Sequence, residues 1–124
     1  MYNVDHDTLD EMVLGALDAL PDELRARINN LDIGVEDVAL PDDYARSGTR
    51  FGTLLGVYRG VPLTARSSGY GFTLPDRIVI FQQPLEEMAR DEAHLRELVR
   101  HTVLHEIAHH FGISDARLRE LGAY

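Results

Sequence analysis

Residues 103–115 read VLHEIAHHFGISD, and the expected fold follows from what this stretch must be. His105 and His109 are four positions apart. On a helix of 3.6 residues per turn they project from one face, about one turn apart. Two imidazoles so placed can share one Zn2+ at roughly 2.0–2.1 Å each. Glu106, beside the first imidazole, can reach a water on such an ion without ligating it, and so can serve as general base. Gly112, three residues after His109, permits the positive φ that ends a helix. The reversed chain then returns Asp115 as a candidate third ligand. Two histidines, one carboxylate and an open position form a catalytic zinc set rather than a closed structural one.

The flanking residues predict a helix over 92–111, with Asp91 as its cap. Leu95, Leu98, Val99, Val103, Leu104, Ile107, Ala108 and Phe111 wrap more than half of its circumference, so it should be largely buried. The remaining face carries His101, His105 and His109. His101 is about 12 Å along the axis from His109, too far to share its metal. His110 is about 100° around the helix from His109 and reads as a packing residue.

Upstream, residues 77–82 (RIVIFQ) are apolar for four positions in a row and form the clearest strand. Two readings stand for it: an ordinary core strand, or an edge along which an extended peptide pairs. Residues 5–19 predict a first helix capped by Asp5 or Asp7, with a stripe of Leu9, Met12, Val13, Ala16, Leu17 and Leu20. Pro21 begins a short second helix that ends near residues 29–30. Residues 33–40 read as a strand closed by Pro41, Asp42 and Asp43, and residues 44–50 as a polar loop. Residues 51–58 read as a glycine-broken strand, with a turn at Arg59-Gly60 into residues 61–64. Residues 67–71 (SSGYG) read as a loop. Tyr70 there reads as an exposed aromatic before it reads as an oxyanion donor. Pro84 opens a short helix, and Ser114 or Asp115 starts a last one carrying Leu118 and Leu121. The acidic runs 5–11 and 86–97 read as solvated helix faces.

At 124 residues without repeat or linker, the chain reads as a single domain, 1–124. The formal charge of −9 argues against a nucleic-acid partner, because a phosphate backbone needs a basic face. All 12 basic residues are arginine and are spread along the chain. With no cysteine, disulfides and thiolate metal sites are excluded. The acidic N-terminus lacks a signal-peptide pattern, and no apolar run approaches the ~18 residues of a membrane span. The expected address is cytoplasmic, with no membrane partner.

The segment HEIAHHFGISD (105–115) resembles the extended H-E-x-x-H-x-x-G-x-x-(H/D) motif of metzincin-type zinc peptidases. Together with LLGVYRGVPLTARSSGYG (54–71) and LPDRIVIFQQPLE (74–86), it makes the chain resemble the small bacterial minimal zincin family of zincin-like metallopeptidases. The resemblance spans nearly the whole length. It implies an α+β zincin-like fold: a small mixed sheet packed against a long active-site helix, with helices at both ends of the chain. It also implies Zn2+ held by His105, His109 and Asp115, Glu106 as base, and a peptide or protein as substrate. Only nine residues follow Asp115 here, so the methionine turn found beneath the metal of larger metzincins is not expected.

Three functional classes follow. The first is a zinc-dependent hydrolase of peptide or amide bonds. The second is a metal-binding regulatory or interaction module with a zincin fold and little or no peptidase activity. The third is a structural zinc site completed by His110, disfavoured because His110 projects away from His105 and His109.

Overall fold

A computed structural model describes residues 1–26, 28, 31–47, 54–59 and 76–120; at Leu31, residues 45–47, Asp76 and Asp115 only the backbone is described. The expected turn at Arg59-Gly60, the strand at 61–64 and the SSGYG loop with Tyr70 therefore lie wholly or partly outside the described residues.

The elements in chain order are α1 (His6–Asp18), α2 (Asp22–Arg25), β1 (Leu31–Glu36), α3 (Pro41–Ser47), β2 (Gly56–Arg59), β3 (Asp76–Phe81), α4 (Gln82–Met88), α5 (Glu92–His110) and α6 (Asp115–Glu120). The strands form a mixed sheet in the order β1-β3-β2. β1 runs parallel to β3 with Ile33 opposite Ile78 and Val35 opposite Ile80. β2 runs antiparallel to β3 with Gly56 opposite Ile80 and Tyr58 opposite Ile78. This is the mixed α+β architecture with a small sheet on a long helix that the sequence implied.

The central position of β3 explains its composition. Ile78, Val79, Ile80 and Phe81 are all fully buried, two on each face of the pleat. Burying each such side chain contributes roughly 1.5–3 kcal/mol, an upper estimate. Ile78 and Ile80 join Ile33, Val35 and Tyr58 in the main core, against Leu9, Met12, Val13 and Ala16 of α1 and Leu95, Val99, Val103 and Ile107 of α5. Val79 and Phe81 meet Val57, Ala39 and Leu54 on the other face. One of the two readings of residues 77–82 is thereby corrected. The backbone of β3 is hydrogen-bonded on both sides, so a peptide cannot add along it.

The boundaries of β1 also move. The expected strand at 33–40 begins earlier, at Leu31, and stops at Glu36. Its neighbour explains this: Glu36 is opposite Phe81, the last strand residue before α4, so the ladder ends there with one further bond, from the Gln83 N–H of α4 to Asp37 O at 3.0 Å. Val38 and Leu40 turn outward instead, 48% and 54% exposed.

In place of the expected closing turn and polar loop, residues 41–47 form α3. Pro41 occupies the first helical position, where its missing N–H is no loss. Asp43 reaches back to accept the Leu40 N–H at 2.8 Å, the returning half of a capping box. Asp43 is itself buried, 1% exposed. It accepts from Arg59 of β2 at 2.8 Å (Nε to Oδ1) and 2.7 Å (Nη2 to Oδ2). Arg59 also donates to both carboxylate oxygens of Glu36 on β1, at 2.8 and 3.1 Å. One guanidinium thus fastens α3 and both outer strands across the sheet.

The N-terminus is fixed by a similar local device. Val4 donates its N–H to the Glu86 carboxylate at 2.7 Å and accepts from Gln82 Nε2 at 2.9 Å. Glu86 is therefore not the solvated charge that its acidic run suggested.

Candidate metal and hydrolytic site

The helix that carries the site begins where Asp91 caps it, accepting the His94 N–H at 2.8 Å. It runs for 19 residues. Leu95, Val99, Thr102, Val103, Leu104, Ile107 and Ala108 are buried. Buried residues on this scale fix the helix's rotation, and with it the direction of every remaining side chain.

At the far end, the Ile113 N–H donates to Ala108 O at 2.8 Å and the Gly112 N–H to His109 O at 3.1 Å. This pair of bonds is a Schellman termination, with Gly112 at φ 69°. Ile113 then packs against the core, which directs the chain back along the helix end. A Cβ at Gly112 would meet no atom within 4 Å, so only the backbone conformation selects glycine there. Gly112→Ala should lower the unfolding free energy by about 1–2 kcal/mol, the handedness penalty for an L side chain at this φ, as read by urea denaturation. No measurable loss would mean that the turn relaxes to negative φ.

Within this frame the structure brings His105 and His109 together. Their ring centroids are 4.1 Å apart and tilted by 51°. His105 is half-buried and His109 exposed, so the pair opens to solvent on one side. A single ion with metal–nitrogen distances of roughly 2.0–2.1 Å could be shared by these rings after a small opening of the pair. The donor chemistry, two imidazoles and no thiolate, suits zinc. His101 stacks at 6.3 Å from His105, further along the helix and exposed.

Glu106 is half-buried. Burial pushes its carboxyl above the usual carboxylate range, and the nearby His109 partly opposes that rise. His110 turns elsewhere, its ring 4.5 Å from that of Tyr58 on β2 and 4.7 Å from that of Phe111. It packs toward the sheet and away from the His105–His109 pair.

Asp115 is the first residue of α6, and its side chain lies outside the described residues. The cap of α6 is Ser114, whose Oγ accepts the Arg117 N–H at 3.2 Å. Among the described residues no three His, Asp or Glu side chains converge on one point.

The sequence did not reveal how β2 lies on this helix. Tyr58 and Gly56 are the residues that place it, and their roles depend on a strand pairing between segments far apart in the chain.

Residues 28–123 match the Zincin-like metallopeptidase family. The chain belongs to that family. A zincin-like chain with this helix carries its H-E-x-x-H within the matched region, at residues 105–109. No curated protein matches the chain. Among solved structures, a conserved hypothetical protein from Thermo thermophilus is similar, with a TM-score of 0.60 and 21% sequence identity. The alignment covers 87% of this chain and 94% of that one, a likeness of fold. Among the described residues, this zincin-like chain has no helix long and apolar enough to cross a membrane.

Proposed function

We propose that this zincin-like chain is a zinc-dependent peptidase of a single domain that acts on peptides or proteins. The observation that carries the reading is the pairing of His105 and His109 at 4.1 Å beside a half-buried Glu106. His105, His109 and Asp115 would hold the ion. Zinc in that set would supply Lewis-acid polarisation of the scissile carbonyl and acidify a water to a pKa of about 7.

The rest of the chemistry belongs to the chain. Glu106 would accept the proton of the attacking water and return it to the leaving nitrogen. Its burial raises its affinity for that proton, which suits the acceptor role. The exposed side of His109 leaves the approach to the pair open. Among the described residues β2 has β3 as its sole sheet neighbour. Its outer edge, rather than that of β3, could pair with an extended substrate backbone. The charge of −9 makes nucleic acid an unsuitable partner, and the same composition suits a cytoplasmic address.

The test is cleavage of a random fluorogenic peptide library by zinc-loaded protein, with and without a chelator. Cleavage that stops on chelation and returns with zinc is expected. Stoichiometric zinc binding with no cleaved peptide would instead favour a metal-binding regulatory module.

A further inference from the structure

We propose that Tyr58 is a positioning residue for hydrolysis: through its ring contact with His110 it holds β2 alongside the helix row that contains Glu106. The inference rests on the reading of Glu106 as general base. Thr102, Glu106 and His110 occur at i, i+4 and i+8 of α5, and so form one row along the helix. The row of His101, His105 and His109 lies beside it, nearer to solvent.

β2 touches the Glu106 row on both sides of the glutamate. At one end, a Cβ on Gly56 would come within 3.0 Å of Thr102 Cγ2 and 3.2 Å of Val79 O. Strand and helix therefore approach there as closely as a glycine allows. Two residues on, and on the same face of the strand, Tyr58 meets His110 with ring centroids 4.5 Å apart and a tilt of 34°. Glu106 is the middle member between these two contacts.

Across the sheet β2 is held by β3 and by Arg59; what remains to be fixed is its distance from α5. Here Gly56–Thr102 permits close approach but supplies no side chain to grip. The Tyr58–His110 pair supplies the grip, and it does so at the end nearer Gly112, where α5 terminates. Tyr58 need not touch substrate for this. It fixes the distance from the strand edge to the carboxylate of Glu106, and displacement of reacting groups by about 1 Å can lower a rate by about 10²-fold.

The test uses the full-length zinc-loaded protein and the best-cleaved peptide of the library. Tyr58→Ala should lower kcat/KM by about 10–100-fold, mainly in kcat, with the zinc-to-protein ratio unchanged. Tyr58→Phe, which keeps the ring, should rescue most of the loss. Hydrogen exchange of the amides of residues 57–59 should quicken in Tyr58→Ala and in His110→Ala. The double variant should be no slower in turnover than the worse single one, because both remove the same contact. If Tyr58→Ala does not fold, Tyr58→Leu preserves apolar volume and is read the same way. Wild-type turnover in Tyr58→Ala, equal impairment in Tyr58→Phe, or unchanged exchange at residues 57–59 would each overturn the inference alone. A wild-type protein that cleaves nothing would refute the peptidase reading and this inference with it.

Discussion

Glu106→Gln should lower kcat by about 10²–10⁴-fold, the range lost when a positioned general base is removed, equivalent to roughly 2.7–5.4 kcal/mol of barrier. Zinc content should not change, since Glu106 is assigned to the proton and not to the ion. Glutamine preserves the size of the side chain, so a fall in rate reports lost basicity rather than a cavity. Turnover comparable to wild type would remove the base assignment; loss of zinc together with turnover would make Glu106 a ligand. The same variant has a second readout in the metal-free protein. The folded-state pKa of Glu106 is raised by burial, so between the ordinary carboxyl value and the raised one the folded protein binds more protons than the unfolded chain. Stability from this group is full below the unfolded pKa and is lost as pH rises through the folded one. Metal-free wild type should therefore lose stability over that window relative to Glu106→Gln, in urea melts taken at successive pH values. Parallel pH profiles for the two proteins would contradict the burial.

Arg59→Ala should destabilise the fold by about 3–5 kcal/mol, the usual consequence of stripping the partner from a buried charge. The Asp43 side chain is 2% exposed and that of Arg59 20%, so water cannot replace the guanidinium. Both Asp43 oxygens accept from Arg59, and Glu36 is held by the same group. Arg59→Lys keeps the charge but loses the planar fork, and should recover part of the stability. Replacing Arg59 and Asp43 together by apolar residues of similar volume should fall short of the sum of the single losses, because neither charge is then left unpaired. A loss below about 1 kcal/mol in Arg59→Ala would class the cluster as a surface ion pair and contradict its role in fastening α3 to the sheet.

The parts of this molecule legible in the sequence are those set by local spacing. The helix under His105 and His109 follows from an apolar stripe and from Asp91 before it, and Gly112 marks its end because only glycine adopts φ 69° without strain. The first helix and its Asp5 cap, which accepts the Thr8 N–H at 2.7 Å, are equally local. The features that escape a sequence reading depend on partners far along the chain. Pro41, Asp42 and Asp43 look the same whether they close a strand or open a helix, and the choice is shown by Arg59, 16 residues away from Asp43. Residues 77–82 show their burial but not their neighbours, so nothing local separates a central strand from an edge one. The alternation that extends the expected strand to Leu40 is genuine, but β3 ends opposite Glu36 and leaves the later residues without a strand to pair with. The row of Thr102, Glu106 and His110 is present in the sequence, yet only the packing of β2 gives it meaning.

The proposed site would hold one zinc ion on His105 and His109, with Asp115, at the end of α5. It is tested most directly by zinc stoichiometry after exhaustive dialysis of wild type, His105→Ala, His109→Ala and Asp115→Ala, each confirmed as folded. One zinc per wild-type chain, loss in both histidine variants, and weakened retention when Asp115 is replaced are the expected results. Stoichiometric zinc in either histidine variant would contradict the proposed site.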